Sequence, residues 1–217
     1  MPQAEIDPGL AAQQFGREER IPVLPPAVRE FGYIPDVSQL LPGDLVLSRS
    51  LVPDCIDRRI VSSQAASGFS AEHTRWTHAA LLIEDDLIVE ALPWRGVTVN
   101  SIYNSVLSNV LRVRRLRTLT QIQRHRIVVK AMRSLGTRYS HLGALKLRAD
   151  LLAGLWNKKA VSQNKFVTIC SQLYFDSVLD VTRTALAGCP ADSPTIPAHL
   201  SLTPQLDDET IGWLKIS

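Results

Sequence analysis

Apolar positions change their period near the middle of the chain. Up to about Leu119 they come in short runs broken by Gly, Pro and acidic residues, the pattern of strands and turns. "LLPGDLVLSRS" sets a Pro-Gly turn before a strand, "DLVLS". "IDRRIVSSQAAS" reads as a helix. The strongest strand signal is "THAALLIEDDLIVEAL", two apolar runs around an acidic turn, which predicts a hairpin. "GVTVNS" and "NVLRVRRL" are further strands, the second alternating apolar residues with arginine as a half-exposed strand does. From Thr120 the spacing turns helical. "TQIQRHRIVVKAMRSLG" carries Ile122, Ile127, Val128, Met132 and Leu135 near helical spacing, with Gly136 as its stop. "LGALKLRADLLAGLW" and "CSQLYFDSVLDV" continue as helical runs, the latter with Leu173, Val178 and Val181 apolar. "SPTIPAHLSLTP" reads as a loop and "IGWLKIS" as an edge strand.

Strands precede helices, so the expectation is an α+β fold, an antiparallel sheet packed against helices. Residues 1–40 read as an N-terminal extension. In it "DPGLAAQQFGRE" is a short helix with an Asp cap and Pro at its first position. "IPVLPPAVREFGYIPD" is a Pro-rich stretch wrapping the surface of a compact domain over 41–217.

Composition narrows the chemistry. No apolar run approaches the ~18 residues of a membrane span, and the first residues lack the basic and apolar parts of a secretory leader. Cytoplasmic synthesis without a signal peptide is therefore expected. Cys55, Cys170 and Cys189 are odd in number and irregular in spacing, which fits a reducing compartment rather than a disulfide framework. CxxC, HExxH, GxxxxGK[ST] and GxGxxG are all missing, so no metal and no cofactor is expected. The net charge of +3 hides a polarity: residues 91–175 hold fifteen Lys and Arg against one acid, Asp150. That stretch is +14 and the remainder −11. Either the basic middle meets an anionic partner, such as an anionic membrane or an acidic protein, or it pairs with the acidic ends. Nucleic acid is not expected, because no aromatics are interleaved for base stacking and no nucleic-acid fold signature occurs.

Candidate chemistry centres on "FVTICSQLYF". Cys170 follows a short apolar run and opens a helix, where it is either core filler or a nucleophile. A thiol nucleophile needs a depressed pKa, an imidazole within reach and a group to hold that imidazole. A helix start supplies the first through its free N–H groups and dipole, and the Cys170 N–H is also placed to stabilise an oxyanion. The best imidazole is His78, at the head of an otherwise apolar strand. The hairpin partner carries Glu90, isolated among apolar residues. If Glu84, Asp85 and Asp86 form a three-residue loop, Ile83 faces Leu87, Ala80 faces Glu90, and Glu90 and His78 share one face as a diagonal pair. A two-residue turn sets them on opposite faces. His73, His125, His141 and His199 lack an apolar strand around them, and Cys55 and Cys189 sit in loops.

The order of "LPGDLVLSRS", "WTHAALLIEDDLIVEALPWRGVTV", "SLGTRYSHLG", "ICSQLYFDSV" and "IPAHLSLTPQL" resembles the circularly permuted papain-like enzymes of the NlpC superfamily, the YiiX/YaeF-like branch. There the histidine and its orienter precede the cysteine. The resemblance spans Leu41 to about Leu206. It implies a permuted papain-like (NlpC-type) fold, with Cys170 as nucleophile, His78 as general base and Glu90 as orienter. Asp44 matches a Gly-Asp of the family and Tyr139 a G-x-x-Y, both supporting positions beside Ser171. The family motif CSE stands here as Cys170-Ser171-Gln172.

Two enzymatic readings and one non-enzymatic reading follow. The first is a cysteine hydrolase of amides, which the resemblance directs to cell-wall peptide; without a leader, such an enzyme needs a specialised secretion system or works on internal fragments. The second keeps the Cys–His site and acts on lipid as an acyltransferase or phospholipase, with "LRADLLAGLWNKKA" lying on an anionic membrane. The third is a basic binding module.

Overall fold

The computed structural model describes residues 24–93, 95–137, 170–190 and 193–216. The chain order is α1 (Pro26–Phe31), β1 (Tyr33–Pro35), β2 (Leu45–Ser50), α2 (Cys55–Ala66), α3 (Ala71–Thr74), β3 (His78–Glu84), β4 (Leu87–Leu92), β5 (Gly96–Ser101), β6 (Asn109–Leu116), α4 (Gln121–Met132), α5 (Cys170–Thr182), α6 (Pro197–Leu202), β7 (Leu206–Glu209) and β8 (Trp213–Lys215). Six strands form one antiparallel sheet in the order β5-β4-β3-β2-β6-β7, and β1 pairs with β8 in a separate two-stranded sheet. The architecture is α+β, with helices packed on an antiparallel sheet. The helices expected in "DPGLAAQQFGRE" and "LGALKLRADLLAGLW" lie outside the described residues.

Strand alternation divides the core into two. Odd-numbered Leu45, Leu47, Ala79, Leu81, Val89, Ala91 and Val97 face α4 and α5. Even-numbered Val46, Ala80, Leu82 and Ile88 face a second cluster. Leu24, Val28 and Leu40, from the expected N-terminal extension, close that second cluster. On α5, Leu173, Tyr174, Phe175 and Val178 are buried, each contributing about 1.5–3 kcal/mol for the larger apolar side chains. The face buried by α4 differs from the expected one. It comprises Arg124, Ile127, Val128 and Ala131, while Ile122 is exposed. Arg124, on that buried face, reaches a carboxylate just before β2.

That carboxylate is Asp44, which is fully buried. It accepts from Nε of Arg115 at 2.9 Å, from Nη1 of Arg124 at 3.2 Å and from the backbone N–H of Leu41 at 2.9 Å. Strand β6 departs from the expected alternation: Asn109–Arg112 are half-buried and Val113–Leu116 are buried, arginines included. It lies inside the sheet, with Arg114 and Arg115 buried. Strand β7, which has no apolar alternation, supplies the counter-charges. Arg112 and Arg114 pair with Asp208, Arg115 with Glu209, and Arg117 with Asp207 and Glu209.

The tail expected as a loop contains α6. Gln64 of α2, fully buried, holds it in place. Its Nε2 donates to the carbonyls of Thr74 and Trp76 at 2.8 and 3.0 Å, and its Oε1 accepts from the N–H of Ala198 at 2.8 Å. The segment leading into β3 is thereby tied to α6.

Replacing Asp44 leaves the buried Arg124 without its carboxylate and Arg115 with the Glu209 carboxylate alone. Asp44→Ala is expected to cost about 3–5 kcal/mol, read from urea unfolding. Asp44→Asn, which keeps one of the two accepting oxygens, is expected to cost less.

Candidate active site

The site depends first on the register of the β3–β4 hairpin. Ala80 stands opposite Glu90, Leu81 opposite Val89 and Leu82 opposite Ile88. This is the pairing that sets His78 and Glu90 on one face. The route to it differs from the expected three-residue loop. Asp85 and Asp86 form a two-residue turn, with Asp85 in the left-handed region at φ 45°, and Glu84 pairs with Leu87. The register slips between Leu82 and Glu84. Ile83 is the additional residue, and this bulge restores the parity that a two-residue turn alone destroys.

His78 opens β3 and Cys170 opens α5, so the two meet at one end of the sheet. The imidazole Nε2 lies 2.7 Å from Oε2 of Glu90. Nδ1 is the nitrogen left for the Cys170 sulfur, whose charge acts on the ring. Cys170 and Glu90 are buried, whereas the His78 side chain keeps 24% of its surface in water. The cluster is thus reachable from solvent at the imidazole.

The charges support one another. Burial pushes the Cys170 thiol up, but the charge and hydrogen bond of His78, with the backbone N–H groups of Ala79 and Ser171, outweigh it and hold the thiol below its ordinary value. Burial pushes the imidazole down, and the Cys170 and Glu90 partners reverse this, lifting it well above its usual range. Burial also raises Glu90, and the His78 and Asn100 hydrogen bonds with the Arg95 charge bring it below the usual carboxylate range. Cys189 is the internal comparison. It is as buried as Cys170, at 9% exposure against 8%, yet has only burial acting on it, which pushes its thiol up to about 12. Surroundings, not burial, separate the two thiols. His199 is the matching contrast to His78, since burial alone lowers it to about 4.

The residues after the cysteine anchor the helix start. Ser171 Oγ donates to the carbonyl of Thr195 at 2.6 Å. Gln172 Oε1 accepts from the N–H of Thr195 at 2.7 Å, and its Nε2 donates to Asp176 Oδ1 at 2.6 Å. Both backbone groups of Thr195 are thus gripped by the first turn of α5, and the donor half of Gln172 explains why an amide suits this place.

Of the supporting positions, Ser171 lies beside the sulfur and Tyr139 lies outside the described residues. Asp44 does not join the site. Leu45 pairs with Leu81 and Ser48 with His78, so Asp44 lies about 13 Å along β2 from the imidazole. Its carboxylate is committed to Arg115 and Arg124. Asn100, whose Nδ2 donates to Glu90 Oε1 at 3.1 Å, was not singled out by the sequence. A polar residue on an edge strand carries no signal of its own. His73 bonds Ser201 instead, and His125 is exposed on α4. Among the described residues no His, Cys, Asp and Glu group is arranged as a metal site, and no helix is long and apolar enough to cross a membrane.

The amide role of Gln172 is testable. Gln172→Glu keeps the acceptor for Thr195 but sets a carboxylate against Asp176, one helical turn away. The loss is expected to be about 1 kcal/mol at neutral pH, from one hydrogen bond and a like-charge pair. Crowding raises the folded-state carboxyl pKa above its unfolded value. Thermal melts should therefore show the deficit growing as pH rises through the carboxyl range and fading in acid.

Among known proteins, no family model matches the sequence and no curated protein matches it.

Proposed function

We propose that the protein is a cysteine hydrolase that cleaves an amide through an acyl-thioenzyme. The observation that supports this reading most is the position of His78, held at Nε2 by Glu90 at 2.7 Å, with its charge acting to lower the pKa of the Cys170 thiol. Three groups that are costly to bury are brought together at the start of a helix and a strand, where burial alone predicts the opposite pKa shifts.

In the proposed reaction the Cys170 thiolate attacks the carbonyl carbon, and the oxygen takes the negative charge beside the Cys170 N–H. The imidazolium gives its Nδ1 proton to the leaving amine as the C–N bond breaks. The acyl group remains on sulfur. The neutral imidazole then takes a proton from water, whose oxygen attacks the thioester carbonyl. The C–S bond breaks and the acid leaves, restoring the thiolate beside an imidazolium that keeps the proton it took from water. Glu90 stays ionised throughout and keeps the ring oriented. The resemblance to permuted papain-like enzymes directs the substrate class to cell-wall peptide or a related amide, met after export by a specialised system or as an internal fragment.

The alternatives gain less support. The lipid-directed reading rested on "LRADLLAGLWNKKA", which lies outside the described residues. The basic binding module loses part of its charge, because Arg112, Arg114, Arg115, Arg117 and Arg124 are paired within the domain.

Iodoacetamide labelling, followed by intact mass and peptide mapping, tests the proposal. Cys170 should label faster than Cys55 and Cys189 at neutral pH. Its rate should reach a plateau at lower pH than that of Cys189, because its pKa lies below the ordinary thiol value and that of Cys189 above it. His78→Ala should move that acid limb upward and slow labelling at neutral pH. Cys170→Ala should abolish turnover of an amide substrate with folding intact, and Glu90→Gln should lower kcat with little change in KM. Equal labelling of the three cysteines, or a His78→Ala curve identical to wild type, would sink the reading.

A further inference from the structure

Glu90 uses one oxygen on His78 and offers the other, Oε1, to Asn100 of β5. The orientation of that amide follows from its remaining partners. Asn100 Oδ1 accepts from the backbone N–H of Ser101 at 3.0 Å and from Nδ2 of Asn104. A backbone N–H only donates, so this end of the amide is the oxygen and the NH2 faces the carboxylate. Asn100 is not the residue opposite Glu90. Thr98 is, and its hydroxyl turns to the carbonyl of Val99. Asn100 sits two residues further along the same face, the diagonal position within reach of a longer side chain.

A carboxylate bonded at one oxygen only can rotate and present either oxygen, or neither, to the imidazole. With both oxygens engaged Glu90 has one orientation. A buried carboxylate is also stabilised as the anion by each donor it accepts from. Cys170 of α5 and Glu90 of β4 face the imidazole, while His78 of β3 and, at longer range, Arg95 of the β4–β5 turn face Glu90.

We propose that Asn100 is a positioning residue of the thiol site, whose amide fixes Glu90 through Oε1 and keeps it ionised so that Oε2 holds His78 with Nδ1 presented to Cys170. This rests on the thiol-hydrolase reading and extends it to a fourth residue, on the edge strand of the sheet. Asn100 touches neither sulfur nor scissile carbonyl and acts only through Glu90.

The test is the pH dependence of Cys170 alkylation by iodoacetamide in wild type, Asn100→Ala, Asn100→Asp, Thr98→Val and His78→Ala, with a thermal melt for each. A charge-assisted hydrogen bond is lost in Asn100→Ala, and part of that loss reaches the thiol. Its acid limb should move up by about half a pH unit or more, roughly threefold slower labelling on the limb. Asn100→Asp keeps the shape and the Oδ1 contacts and reverses the donor, which covers the case in which the alanine variant fails to fold. It should add a second inflection, as two adjacent carboxyls share one proton. Thr98→Val, on the same strand but without a hydrogen bond to Glu90, should overlay wild type. Wild-type curves for Asn100→Ala or Asn100→Asp, or a Thr98→Val curve displaced as far as theirs, would overturn the inference. If His78→Ala shifts the curve and the Asn100 variants do not, only the role of Asn100 fails. If His78→Ala leaves the curve unchanged, both readings fail.

Discussion

Two residues of β3, Ile83 and Glu84, lie opposite the single residue Leu87 of β4, and the position of the imidazole follows from that count. Side chains alternate across a strand, so one residue more or less moves every later side chain to the other face. The tight Asp85–Asp86 turn and the bulge at Ile83 act as opposite slips. Together they return His78 and Glu90 to one face, and the 2.7 Å contact between imidazole and carboxylate depends on that return. The same register carries Glu90 to within reach of Asn100 on β5. The chain of contacts from Asn100 to Cys170 therefore crosses three strands and a helix, and one insertion in one strand governs it.

A second charged cluster holds the opposite half of the sheet. Asp44, Arg115, Arg124 and Glu209 join β2, β6, α4 and β7. Buried ion pairs are costly to form, and breaking one by removing a partner is costlier still. The arrangement joins the buried face of α4 to the interior strand β6. It also gives much of the charge polarity of the sequence an internal use: Asp44, just before β2, and the acids of β7 meet arginines of β6 and α4. The two clusters use carboxylates differently. Asp44 binds cations whose charge does not change, while Glu90 binds a group that titrates.

Strands β2 to β6 were legible because each is a short apolar run with turn residues at its ends. Glu90 stood out as a lone acid in such a run, and His78 as a lone ring at the head of one. The helix start at Cys170 was visible as the change from "FVTI" to a helical period. What escaped notice was non-local. Strand β7, with the sequence LDDE, has no alternation of its own and becomes a strand because its acids meet the arginines of β6. Helix α6 depends on Gln64, more than a hundred residues earlier. The bulge at Ile83 has no glycine or proline to mark it. Residues 24–40 read as an appendage because the face they cover is formed by strands that follow them. Asn100 is identifiable only once the second oxygen of Glu90 is seen to need a donor.

The central claim is that Cys170 and His78 form a thiolate–imidazolium pair at neutral pH. Side-chain nitrogen NMR of His78, followed across pH, reads this directly. Both ring nitrogens should be protonated at pH 7, because the imidazole pKa is raised by its Cys170 and Glu90 partners. In Cys170→Ala, with the thiolate removed and Glu90 left in place, the titration should move down toward the ordinary histidine range. A neutral His78 ring at pH 7, or a titration unaffected by removing the sulfur, would contradict the account.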